Sequence, residues 1–268
     1  MQTMPSCKLL SWNLLAMRGY AAGEDPERNP APPRPWLAQA IAAALRASDA
    51  DVIAIQEAPE REGIDALAAE LGFVYAWFPA RWSGNAIWRG GFPGAILSRH
   101  AITGVVDGIA AAGSINAAVF QRHWGWCEIL HPAGSIIVHT LHLCADWGGT
   151  DRSATRLDEI RLVQAALAPQ LAAGKRVVVC GDCNSPAGNP ARHALDALGG
   201  AAAISALGHP PTAPSIGSVV SIDEIWAFAP LRLGTGVVLD GPPFSVDPVT
   251  GVALSDHLPV MADLMWLS

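Results

Sequence analysis

In the stretch Arg176-Val-Val-Val-Cys-Gly-Asp-Cys-Asn-Ser-Pro186, a β-branched run gives way at Gly181 to a carboxylate, Asp182, and a carboxamide, Asn184. Val177, Val178 and Val179 read as a buried strand. Open α/β sheets place their chemistry at such carboxyl ends. Gly, Asp and Asn are also ordinary turn formers, so this stretch alone does not separate a site from a turn.

The same pattern recurs along the chain. Leu9-Leu10-Ser11-Trp12 ends on Asn13, Val52-Ile-Ala-Ile-Gln56 ends on Glu57, and an apolar segment from Ser135 ends on His142. Asp223 stands in Ser-Ile-Asp-Glu-Ile225, and Asp256 and His257 stand in Ser-Asp-His257. Singly, His142 fits a hydrogen-bonded core histidine, Glu57 the start of a helix, and Asp223 half of a surface ion pair. Recurrence after nearly every core strand favours a site. Hard carboxylate oxygens suit Mg²⁺ or Mn²⁺, which keep several waters and take phosphate oxygens. A histidine beside a carboxylate suits proton handling near neutral pH.

Positioning these groups requires strands and helices in alternation. Strands are expected at Cys7–Asn13, Asp51–Glu57, Phe73–Phe78, Gly94–Ser98, Ile102–Val106, Ala117–Gln121, Trp124–Leu130 and Ser135–His142. Later ones are expected at Val219–Phe228, Leu231–Leu239 and Leu258–Trp266. Apolar spacing predicts helices over Trp36–Arg46, Asp65–Leu71, Ser153–Leu171 and Pro190–Leu198. The Pro- and Gly-rich residues 19–35 and the Gly- and aromatic-rich residues 79–93 read as loops. Alternation at both ends with antiparallel-looking pairs between them makes the class α/β with mixed sheets. Nothing splits the 268 residues, so one domain over 1–268 is expected.

Composition narrows the partners. The chain is 51% hydrophobic and only 15% charged, which excludes disorder, and its net charge of -7 offers no basic field for nucleic acid. Neither a secretory signal nor a run of membrane-spanning length is evident. An odd number of cysteines, five, is expected of free thiols in the reducing cytoplasm. Cys180 and Cys183 form a C-x-x-C, yet no second pair exists to complete a zinc site.

Ser-Trp-Asn13, Ile-Gln-Glu57, Ala-Ile-Leu-Ser-Arg99, Thr-Leu-His-Leu143, Gly-Asp-Cys-Asn184, Ser-Ile-Asp-Glu-Ile225 and Ser-Asp-His257 stand in this order. That series resembles the endonuclease/exonuclease/phosphatase superfamily, the DNase I-like metal-dependent phosphoesterases, over roughly residues 7 to 266. The resemblance implies a four-layer sandwich of two packed mixed β-sheets flanked by helices, with the site at one open end. It implies an Mg²⁺- or Mn²⁺-dependent phosphoester hydrolase whose cation is held principally by Glu57, with Asn13 and Asp256 as direct or water-mediated ligands. Asp182 would orient or deprotonate the attacking water, with Asn184 fixing that water or a phosphoryl oxygen. His257, oriented by Asp223, would be a general base or a cationic clamp; His142 would be a phosphate contact or the leaving-group acid. Asn85 is the expected phosphate contact in the loop at 79–93, and Arg122 a further one.

The substrate class stays open between a phosphodiester, as in a nuclease, and a phosphomonoester on a small metabolite or lipid headgroup. A binding module that kept the fold without the chemistry is the remaining alternative. The acidic balance disfavours tight binding of duplex DNA. Among ten tryptophans, Trp77, Trp82, Trp88, Trp124, Trp126 and Trp147 flank the expected site strands, where indoles stack on bases or sugars or else fill the core. The oligomeric state is not legible.

Overall fold

Apolar runs that end on polar side chains become the inner strands of two sheets, buried on both faces. The computed structural model describes residues 5–25, 34–81, 90–113, 120–146 and 149–266, so Asn85, Trp82, Trp88 and Trp147 lie outside the described residues. In chain order the strands are β1 (Ser6–Asn13), β2 (Tyr20–Ala21), β3 (Val52–Gln56), β4 (Val74–Phe78), β5 (Gly94–Ser98), β6 (Ile102–Asp107) and β7 (His123–Ile129). They continue with β8 (Ile136–His142), β9 (Val177–Asp182), β10 (Ala201–Ala202), β11 (Asp223–Phe228), β12 (Leu231–Val238), β13 (Val252–Ala253) and β14 (Val260–Trp266). The helices are α1 (Leu37–Ser48), α2 (Arg61–Leu71), α3 (Gly108–Ala111), α4 (Ser153–Ala172) and α5 (Pro190–Asp196).

One six-stranded sheet has the order β12-β14-β1-β3-β5-β4 and the other β10-β11-β9-β8-β7-β6. Each is antiparallel except for one central parallel pair, β1 with β3 and β8 with β9. Leu9, Ala54, Phe78 and Ile96 of the first sheet meet Cys127, Val138, Val178 and Ile225 of the second in the core between them. Leu10, Trp12, Ile53 and Ile55 face α1 and α2 on the outside of the first sheet, and Leu141, Val177, Val179 and Trp226 face α4 and α5 outside the second. The result is the expected four-layer sandwich of two mixed sheets flanked by helices.

Strand alternation also explains the C-x-x-C. Cys180 points into the core between the sheets and Cys183 into the layer under the helices, so the two thiols face away from each other. All five cysteines are buried and unpaired. Trp124 and Trp226 are wholly buried under the helices, with Trp126 packed beside them, so these indoles are core. Among the described residues no helix is long and apolar enough to cross a membrane.

Three expected elements differ by more than two residues. Helix α2 begins at Arg61 rather than at 65, Phe120 and Gln121 lie outside any strand, and the strand expected from Val219 begins only at Asp223. In the last case Thr212 Oγ1 accepts the backbone N–H groups of Ile222 and Asp223, taking them from a sheet ladder.

Pairing register sets the site. His123 stands opposite His142, His142 opposite Asp182, and Asp182 opposite Asp223, so these residues line up abreast across the end of the second sheet. Gly181 makes that row possible. Its φ is +144°, and a Cβ there would sit 2.0 Å from the Leu141 carbonyl oxygen on the adjacent strand. We expect Gly181→Ala to destabilise the fold by more than about 3 kcal/mol, beyond the usual cost of a point substitution. A thermal melt within a few degrees of the native chain would contradict this account of the β8–β9 register.

Candidate active site

The ends of β1, β3, β8 and β9 and the starts of β11 and β14 converge at one end of the sandwich. Asn13, the last residue of β1, is buried beside Glu57, which follows β3 directly. The Asn13 Nδ2 donates to Glu57 Oε1 at 3.2 Å and to Asp182 Oδ2 at 3.1 Å, while its Oδ1 accepts the Leu15 N–H at 3.1 Å. Asn13 therefore shows its donor face to both carboxylates. Serving as a cation ligand would require it to turn over and release Leu15.

The backbone here is strained. Leu15, Ala16 and Met17 all have φ between 47° and 58°, and Glu57 and Asn184 both have φ of 45°. Left-handed non-glycine residues cost on the order of 1–3 kcal/mol each and gather at functional sites. The Leu15–Met17 turn is tied to Glu57 by the Ala16 N–H, which donates to the Glu57 carbonyl at 2.7 Å.

Asp182 is the hub. Its Oδ1 accepts the Asn184 N–H at 2.9 Å, and its Oδ2 lies 3.2 Å from His142 Nε2 and 3.7 Å from His257 Nε2. Burial raises its pKa, but His142, His257 and Arg122 outweigh burial and hold the carboxyl below its ordinary range. Asn184 is fixed in turn by donating Nδ2 to the Leu143 carbonyl at 3.0 Å.

Arg122 enters from the segment before β7. Its Nη1 contacts His142 Nε2 and lies 3.4 Å from Glu57 Oε1, with the guanidinium over the Phe92 ring at 4.4 Å. Burial and then Arg122 push the His142 pKa down to about 4, so the imidazole is neutral at pH 7. Nε2 thus faces a donor, the Arg122 guanidinium, and an acceptor, the Asp182 carboxylate.

His257 pairs with Asp223, as its Nδ1 donates to Asp223 Oδ2 at 2.9 Å. Burial opposes the cation, yet Asp223 and Asp182 overcome it and raise the His257 pKa well above its ordinary value. Burial likewise raises the Asp223 pKa, and the facing imidazole opposes that shift. Asp182, Asp223 and His257 bring ligand atoms within 4.8 Å of one another. These atoms are close enough to share a metal ion, and both imidazole nitrogens face the two carboxylates.

The donor set for a cation lies beside it. Glu57 Oε2 is buried with no hydrogen-bond partner, and burial, with Asp256 adding to it, raises the Glu57 pKa to about 7. An unsatisfied buried carboxylate oxygen next to a second carboxylate fits a hard divalent cation, which would supply the missing counter-charge. Glu57 and Asp256 are the residues that would hold it.

Supports outside the expected set fix these groups. Ser255 Oγ donates to the Asn13 carbonyl at 2.6 Å, and Trp12 Nε1 donates to the His257 carbonyl at 2.9 Å. Arg192 Nη1 donates to the carbonyls of Ser185 and Ser221, tying the loop after β9 to the approach to β11. Ser255 and Trp12 sit inside the sequence motifs; nothing in the local sequence marks Arg192.

Solved structures share this architecture. The human Nocturnin catalytic domain with bound sulfate is 19% identical, with a TM-score of 0.71 over 98% of this chain and 94% of that one. An endonuclease/exonuclease/phosphatase family protein from Bacteroides thetaiotaomicron is 17% identical, with a TM-score of 0.70 over the whole of both chains. The mannosyl-6-phosphatase Bt3783 of Bacteroides thetaiotaomicron VPI-5482 is 18% identical, with a TM-score of 0.69 over 97% of this chain and all of that one. These likenesses establish the fold. No curated protein matches the chain in sequence. A family model does match, from residue 10 to residue 257, a span that takes in every motif from Ser-Trp-Asn13 to Ser-Asp-His257, and the chain belongs to the endonuclease/exonuclease/phosphatase family.

Proposed function

We propose that this chain hydrolyses phosphoester bonds with the help of a divalent cation, Mg²⁺ or Mn²⁺. The observation that carries this reading is the meeting of the Asp223–His257 pair with Asp182, beside a Glu57 oxygen that has no partner. Family membership supports it, as do neighbours described as a phosphatase and as a catalytic domain with bound sulfate.

When bound, a divalent cation neutralises phosphate charge and stabilises the departing oxygen. The imidazolium of His257 clamps a phosphoryl oxygen, its charge held by Asp223. Asp182 orients the attacking water; a carboxylate held so acidic is a weak base, so orientation outweighs proton abstraction. Asn184 fixes the same water or a phosphoryl oxygen. Arg122 and neutral His142 also contact phosphate, and His142 cannot act as an acid from its resting state. With a net charge of -7, a small phosphoester or a short single strand suits the chain better than duplex DNA. The unpaired thiols suit the cytoplasm.

Hydrolysis of a generic aryl phosphoester should require Mg²⁺ or Mn²⁺ and cease with EDTA. Glu57→Gln should shift half-activation to higher cation concentration, by roughly the 10- to 100-fold typical of altered metal surroundings. An unchanged cation requirement in that variant would remove Glu57 from the ligands.

A further inference from the structure

Glu159 of α4 is wholly buried, close to the site but not in it, and carries a carboxylate that none of the chemistry above uses. Its Oε2 accepts the backbone N–H of Cys144 at 2.9 Å, and its Oε1 accepts that of Gln121 at 3.4 Å. Cys144 lies two residues beyond His142, and Gln121 lies one residue before Arg122. One side chain therefore joins the two segments that deliver Arg122 and His142 to the same point.

The neighbouring contacts reinforce that junction. Arg156, one turn earlier on α4, donates Nη1 to the Cys144 carbonyl at 3.0 Å, so the helix holds that peptide by both its N–H and its C=O. Cys144 Sγ donates to Gln121 Oε1 at 3.4 Å, linking the two segments directly. The Arg122 carbonyl accepts the Arg81 N–H at 2.8 Å, which fixes the other side of the arginine's backbone.

No cation lies within salt-bridge distance of Glu159 among the described residues. Burying the carboxylate is costly, and desolvation pushes its pKa up to about 7 against the opposing pull of the two N–H groups and of the Arg122 and Arg156 charges. A leucine would be cheaper to desolvate but would leave both buried N–H groups without an acceptor. Retaining a carboxylate makes sense where two N–H groups from separate segments must be held by one acceptor pair.

We propose that Glu159 is a positioning residue that sets the mutual placement of Arg122 and His142 through the backbones of Gln121 and Cys144. As a statement about catalysis this rests on the phosphoester reading; as a statement about geometry it stands without it. In Glu159→Ala both N–H groups lose their acceptor and the two segments can separate. In Glu159→Gln one acceptor oxygen remains for Cys144, while an NH₂ group replaces the other and opposes the Gln121 N–H.

The test uses the full chain with saturating Mn²⁺ for kinetics and, separately, ¹H–¹⁵N spectra of the His142 ring and the Arg122 Nε–H in the cation-free protein. Glu159→Ala should lower kcat by about 10²-fold with KM little changed, the loss expected of a misplacement near 1 Å. Glu159→Gln should fall between it and the native chain. In both, the His142 and Arg122 signals should move while those of His131, which stacks on Trp266, stay in place. Should Glu159→Ala fail to fold, Glu159→Gln decides. Unmoved His142 and Arg122 signals overturn the proposal whatever the kinetics, as does native kcat in a folded variant with a lowered Tm, since that describes a purely structural carboxylate. A native chain without hydrolysis would defeat the phosphoester reading and leave the spectra to decide the positioning role.

Discussion

Replacing His257 by Ala lowers turnover by about 10²–10⁴-fold, the usual contribution of a positioned acid, base or charged clamp. Asp223→Asn should cost less, because the imidazole remains and loses only its 2.9 Å carboxylate partner. The double variant should be no worse than His257→Ala alone, since Asp223 acts through that ring. Fully additive losses would mean that the two residues work independently. The pH dependence follows from the same pair. His257 has a raised pKa, so it is a cation below that value and loses its charge as pH climbs through it. If the cation is the working form, activity falls along a basic limb, and Asp223→Asn moves that limb to lower pH. A profile in which activity instead rises through this pKa would make His257 a general base.

Asp182→Asn should be comparably damaging, again about 10²–10⁴-fold in turnover. Its Oδ2 takes the Asn13 amide at 3.1 Å and faces both His142 and His257, and an amide NH₂ in that place would oppose donors. Loss of the carboxylate also removes one of the three charges, those of Asp223, Asp182 and Asp256, that raise His257, so the His257 pKa should fall in the variant. Monitoring the His257 ring by NMR against pH separates this from general unfolding. Turnover within tenfold of the native chain, with an unmoved His257 pKa, would take Asp182 out of the centre of the site.

The residues that meet at this end of the sandwich stood out in the sequence because each breaks a local rule. A polar side chain at the end of a β-branched run has no packing purpose, and Asn13, Glu57, His142 and Asp182 all stand there. Which of them would meet was not legible from periodicity, because the row His142–Asp182–Asp223 depends on a parallel register between strands separated by a whole helix. Side-chain capture of the backbone explains the misplaced boundaries. Thr212 diverts the start of β11, and Glu159 holds Gln121 where a strand was expected. The start of α2 was missed because Arg61, Glu62 and Gly63 add no apolar position to the helical pattern. The ribbon of β2 with β13 joins two residues to two across most of the chain, too little for any local signal. Glu159 and Arg156 read as solvated charges on a long helix, and only the tertiary structure shows them gripping Cys144.

The most direct test is the hydrolysis of an aryl phosphodiester and an aryl phosphomonoester, followed by ³¹P NMR with Mg²⁺, with Mn²⁺ and with EDTA. The account predicts cation-dependent release of the phosphoryl product from at least one substrate, abolished by EDTA and by His257→Ala. Which ester is consumed tells diesterase from phosphatase. No release from either ester under any cation, in protein shown to be folded, would contradict the account and leave a binding module built on this fold.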